Sequence, residues 1–134
     1  MRSSIVLFIA LGLLFIQVSA SAHHATAVQY DTSKTITLKG VITRLDWANP
    51  HVHVYMDVKA QKDRPENWTG NWDVEFASPG GIIVSGLTKD SLKPGTVITI
   101  KGYPSKKLLT LEQAACATEV KLSDGLTVHF VVGI

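Results

Sequence analysis

Over most of its length this chain alternates apolar with polar residues, and turn-forming residues break the alternation at short intervals. A period of two belongs to strands, whose successive side chains leave opposite faces. In the first such run, Thr35 to Trp47, the residues Ile36, Leu38, Gly40 and Ile42 share one face. The phase then slips by one, and Leu45 and Trp47 continue that face. One extra residue in a strand is a β-bulge, and a nearby glycine eases the bend. A long, bent first strand is what a small closed barrel requires.

The remaining runs follow the same logic. After the turn Ala48-Asn49-Pro50, a second strand places Val52, Val54, Met56 and Val58 inward and His51, His53, Tyr55 and Asp57 outward. Lys59 to Gly70 reads as a polar loop. A third strand turns Trp72, Val74 and Phe76 inward and Asp73 and Glu75 outward. One short helix follows: Ser78 can cap it, Pro79 suits its first position, and Gly86 ends it. Leu92-Lys93-Pro94-Gly95 then turns into a fourth strand, Thr96 to Tyr103. A fifth, about Ala114 to Leu122, meets an Asp124-Gly125 hairpin signal, and Leu126 to Val132 pairs back as a last strand. Three strands, a helix and two strands with an added hairpin arm predict an all-β, OB-fold-like Greek-key barrel of five to six strands, with the helix between the third and fourth. A small open sandwich is the alternative.

Residues 1–22 read as a secretion signal, leaving 23–134 as a single domain whose first residues, 23–34, form an N-terminal arm. Arg2 supplies the positive start and Ile5 to Ile16 the apolar run. Val18-Ser19-Ala20 and Ala20-Ser21-Ala22 are both small-x-small cleavage sites. The apolar run is too short to span a bilayer core of about 30 Å, so no stable membrane anchor is expected after cleavage, and the mature chain is expected in the periplasm or outside the cell. Losing Arg2 lowers the formal charge from +2 to +1, twelve basic against eleven acidic residues. That balance argues against a nucleic-acid partner or a basic membrane patch. The single cysteine, Cys116, excludes an intrachain disulfide. It alternates with Ala114, Thr118 and Val120, which predicts burial in the inward row of its strand.

Several short pieces carry a resemblance in their order and spacing: Ala22-His23-His24, Tyr30-Asp31, Thr37-Leu38-Lys39-Gly40, Trp47, Asn49-Pro50-His51, Asp57-Val58, Trp72, Ser78-Pro79-Gly80 and Ser91-Leu92-Lys93-Pro94-Gly95. Together they resemble a family of exported bacterial proteins known only as domain of unknown function 6152. The resemblance covers nearly all of the mature chain and implies a periplasmic or secreted OB-like barrel without an established activity. This chain departs from the family's pattern at His53 and Leu87, where aromatic residues are expected, and at Cys116.

Histidine placement is the one chemically pointed feature. Cleavage after Ala22 would make His23 the new N-terminus, with amine and imidazole able to chelate one metal ion together. Cleavage after Ala20 would place His23 third from a free amine, a pattern that binds square-planar copper(II) or nickel(II) through nitrogens. His51 and His53 leave the same strand face, and Glu75 can lie opposite His53 if the second and third strands pair antiparallel. His23, His24, His51, His53 and Glu75 are therefore the candidate ligands for copper(II) or another transition metal. The competing reading of His51, His53 and Glu75 is a polar outer face with no metal. His129 reads as structural, and Trp47 and Trp72 as core rather than a stacking platform with Tyr55. Hydrolase elbows, phosphate loops and zinc-protease helices are absent from the sequence. The expectation is a non-catalytic exported binding protein. Its alternative is a metal-free module docking a partner protein or glycan through a barrel face or the Lys59–Gly70 loop.

Overall fold

The computed structural model describes residues 26–60, 62, 68–107 and 113–130. Strand β1, Ile36–Asp46, is the hub. Its first half pairs antiparallel with β4, Val97–Pro104, and its second half with β2, His53–Val58. The anticipated slip is a bulge: pairing steps from Ile42↔Met56 to Arg44↔Tyr55, leaving Thr43 as the extra residue. Gly40 pairs with both Val58 and Ile98, where the two neighbours overlap along β1. A Cβ at Gly40 would come within 2.3 Å of the Asp57 carbonyl oxygen, so the close approach of strands requires glycine.

β3, Gly70–Glu75, continues the meander beside β2. The helix α1, Pro79–Val84, follows, with Ser78 Oγ accepting from Gly81 N at 3.2 Å, Pro79 in the first turn, and Gly86 beyond the end at φ 95°. Helix α1 turns Ile82 into the core. A 3-10 turn, Asp90–Leu92, leads into β4, and β5, Ala114–Leu122, pairs with it. The ring closes where β5 runs parallel to β3 through Val74↔Ala115 and Glu75↔Cys116. This connectivity is the OB-fold: a closed five-stranded barrel with one short helix between β3 and β4. A further strand, β6, Thr127–His129, pairs only with β5 after the Asp124-Gly125 turn. Among the described residues no helix is long and apolar enough to cross a membrane.

The core follows the alternation. Ile36, Leu38, Val52, Val54, Val74, Phe76, Ile98 and Ile100 are buried, together with Trp72, Met56 and Leu87, while Leu45 and Trp47 pack half-buried against the cluster. Cys116 needs a correction. It is buried, yet it does not belong to the inward row. β5 carries its own bulge: pairing steps from Lys101↔Glu119 to Gly102↔Ala117, so Thr118 is extra. The inward residues are Ala115 and Ala117 before the bulge and Val120 and Leu122 after it. Cys116 stands on the outer face, where its strand partner Glu75 also points. What lies over this region is the N-terminal arm. Residues 26–29 make one helical turn, Tyr30 forms a bridge to Ser105, and Lys106 N donates to Gln29 O at 2.9 Å.

Candidate functional site

The outer face of β2 and β3 gathers the titratable side chains the sequence pointed to. Register sets His53 opposite Glu75, as antiparallel pairing requires, but the side chains lean diagonally. His53 Nδ1 lies 2.8 Å from Asp73 Oδ1, and His51 Nδ1 lies 2.6 Å from Glu75 Oε1. At the other end of the row, Asn71 Nδ2 donates to Asp57 Oδ1 at 2.8 Å. An ionised carboxylate can only accept, so each Nδ1 carries the proton. In a neutral ring that leaves the lone pair on Nε2, and neither Nε2 has a partner among the described residues. Both rings are partly open to solvent, His51 at 47% and His53 at 36% of side-chain area.

Glu75 is engaged twice. Its Oε2 accepts from the Tyr30 hydroxyl at 2.7 Å, and its side chain is only 15% exposed. Burial first, and then the bond to Glu75, push the Tyr30 hydroxyl far above the ordinary phenol range, so it remains a donor. Burial, aided by the Glu75 charge, pushes the Cys116 thiol up to about 12. It is a protonated thiol at neutral pH. Beside this cluster Arg44 stacks over the Tyr55 ring, 3.7 Å from its centroid, and pairs with Asp46 at 3.3 Å. Loss of water, and then the nearby Asp73 carboxylate, push the Tyr55 hydroxyl up as well.

The structure thus brings His51, His53 and Glu75 together. His23 and His24 lie outside the described residues. Glu75 sits beside His51, but both its oxygens are committed to bonds within the protein. That gives it the part of an orienting carboxylate, the kind of partner that fixes a metal-bound histidine's tautomer. No three His, Cys, Asp or Glu side chains among the described residues converge to hold a metal ion. His129 is exposed, 3.4 Å from Glu119. Trp72 is core, and Tyr55 faces outward. Two participants were missed as such. Asp73 was placed on the right face by parity, but its pairing with His53 depends on the diagonal lean. Tyr30 gave no local signal, since its partner is 45 residues away.

A family described as "Family of unknown function (DUF6152)" matches residues 11–111 of this chain. No curated protein matches it. Among solved structures, the mitochondrial single-stranded DNA-binding protein Rim1 from S. cerevisiae is similar at 8% identity, covering 67% of this chain and 93% of its own, with a TM-score of 0.47. A ZRD-deleted mutant of TiaS in complex with agmatine is similar at 14% identity over 69% of this chain, with a TM-score of 0.44. TiaS in a complex with tRNA and ATP is similar at 15% identity over 69%, with a TM-score of 0.42. This chain covers only 22% and 19% of those two TiaS chains. Likenesses at this level carry nothing about what this chain binds.

Proposed function

The chain belongs to this family of unknown function, and on that premise we propose that it works as an exported, non-catalytic binding protein whose ligand face is the outer side of β2 and β3. The ligand this face suits is a transition-metal ion, copper(II) above all. One observation carries the reading: two imidazoles on the same face each have Nδ1 held by a carboxylate, at 2.6 and 2.8 Å, which leaves their Nε2 lone pairs without a partner among the described residues. Carboxylate-held imidazoles of this kind are the usual form of metal-binding histidine. Two imidazoles do not complete a site. The missing nitrogens would come from His23 and His24 at the new N-terminus, giving a nitrogen-rich set that favours copper(II) over magnesium or calcium. Export is supported by the positive start, apolar run and small-residue cleavage sites of residues 1–22.

A second reading has its own support. The lack of a third ligand among the described residues, and the outward Arg44–Tyr55 stack, suit a metal-free module that docks a partner protein or glycan. Calorimetry on the mature, untagged chain separates the two. The metal reading expects copper(II) to bind more tightly than about 10 μM, a threshold worth roughly 7 kcal/mol. It also expects the affinity to fall in His51→Ala and in His24→Ala. If copper(II), nickel(II) and zinc all bind more weakly than that, the metal is abandoned and the metal-free module is kept.

A further inference from the structure

Among the described residues of the N-terminal arm, Tyr30 bonds to the histidine face. It is 7% exposed, and its hydroxyl donates to Glu75 Oε2 at 2.7 Å. The other oxygen of the same carboxylate receives His51 Nδ1 at 2.6 Å. The arm is held in place by bonds of its own: Asp31 N to Pro104 O at 2.8 Å and Lys106 N to Gln29 O at 2.9 Å along the backbone, and the Lys106 side-chain Nζ to the Ala27 carbonyl. We propose that Tyr30 is a positioning residue for the histidine face: docking of the arm sets Glu75, and Glu75 sets the tautomer and aim of His51.

The physics favours coupling over coincidence. A carboxylate on a sheet face has two free torsions beyond Cβ and several rotamers within reach of a neighbour. A donor on one oxygen restricts those rotamers, and a second donor on the other oxygen then meets a fixed acceptor. The two bonds reinforce each other because each lowers the ordering cost of the other. Both are charge-assisted, and the Tyr30 bond is shielded from water. His53 has no support from the arm: its partner Asp73 is 38% exposed, takes its tyrosine hydrogen bond from Tyr55 of β2, and makes no bond to Tyr30. The two imidazoles therefore differ. His51 depends on the arm, and His53 does not. Cys116 provides an internal reporter, since it pairs with Glu75 and shares its buried surroundings with Tyr30. An arm that lifts away opens the way to the thiol.

This inference rests on the reading of the β2–β3 face as the ligand site, but its test is independent of any metal. Nitrogen NMR of the imidazole rings in the mature full chain reads each histidine's tautomer directly. Wild type is expected to show His51 and His53 both with protonated Nδ1. Tyr30→Phe keeps the ring's packing and removes only the hydroxyl. It should shift His51 toward a mixture of tautomers, leave His53 unmoved, and speed alkylation of Cys116. A Tyr30→Phe protein whose His51 signals stay at their wild-type positions overturns the proposal, and so does one in which His53 moves equally. Should Tyr30→Phe fail to fold, Glu75→Gln serves instead. It keeps the shape but offers one acceptor oxygen to two donors, so the His51 signals must move, and unmoved signals again overturn the coupling. If wild type takes up no copper(II), nickel(II) or zinc while Tyr30→Phe still shifts His51, the metal reading fails and the coupling stands.

Discussion

Cys116 shows how far one residue's behaviour depends on what lies over it. It points away from the barrel core, yet it is 5% exposed because the arm and the β3–β5 seam enclose it. A thiol reacts as thiolate, and burial together with the Glu75 charge hold this one protonated up to about 12. Native protein at about pH 8 is therefore expected to react with iodoacetamide far more slowly than the unfolded chain, whose thiol titrates near the ordinary cysteine value. The folded-state value is raised from 9.0 to about 12, so the contribution of this group to stability is intact below 9.0 and is lost as pH rises toward 12. Denaturant titrations at stepped alkaline pH should show that loss, and Cys116→Ala should abolish this part of it. At neutral pH the same substitution leaves only a small cavity and should cost on the order of 1 kcal/mol.

At the level of the strand, two bulges do the shaping. The extra residue Thr43 lies three residues past Gly40 in β1, and the extra residue Thr118 follows Ala117, the strand partner of Gly102; both glycines let backbones approach closely. A Cβ at Gly40 would lie 2.3 Å from Asp57 O, and one at Gly102 would lie 2.2 Å from Cys116 O. The nearest obstructing atom in each case is backbone, so no side-chain rotation relieves the clash. Gly40→Ala must push β2 away from β1 and is expected to destabilise the barrel by about 1–3 kcal/mol, read as a lowered melting temperature. A Gly40→Ala protein as stable as wild type would mean that β1 and β2 can separate at this point without loss.

For the molecule as a whole, closure is the main support. No intrachain disulfide is available with one cysteine, so the barrel depends on packing and on the parallel β3–β5 contact that closes the five-stranded ring. β6 extends beyond that ring. Its anchor is Phe130, 9% exposed, with its ring centroid 5.3 Å from that of Phe76 at the end of β3. Phe130→Ala removes a buried ring from the rim of the core and is expected to cost about 3 kcal/mol. Urea denaturation should show the midpoint falling with little change in slope, because the closed ring persists and the unfolding stays cooperative.

Alternation and turn chemistry are local properties, and they were enough to determine the strands, the bulge in β1, the capped helix and the faces on which His51, His53 and Glu75 stand. Ile42 and Leu45 betray the first bulge because both are apolar and out of phase. The second bulge was invisible because Ala115, Cys116 and Ala117 are all small and apolar, so no phase can be read through them. That run misassigned Cys116. Side-chain partners within the face were also beyond sequence. Parity places His53 and Glu75 opposite each other, but only the twist and lean of the paired strands give His53 to Asp73 and His51 to Glu75. The role of Tyr30 was the least legible. A tyrosine in a polar arm has no periodicity to mark it, and its bond to Glu75 exists only because β3, β5 and the β4–β5 connection meet beneath the arm. Outside the small-residue run at Cys116, residue pattern determined which way the strand side chains face; three-dimensional closure decided which of them touch, because contacts between distant segments depend on strand order, which no local period encodes.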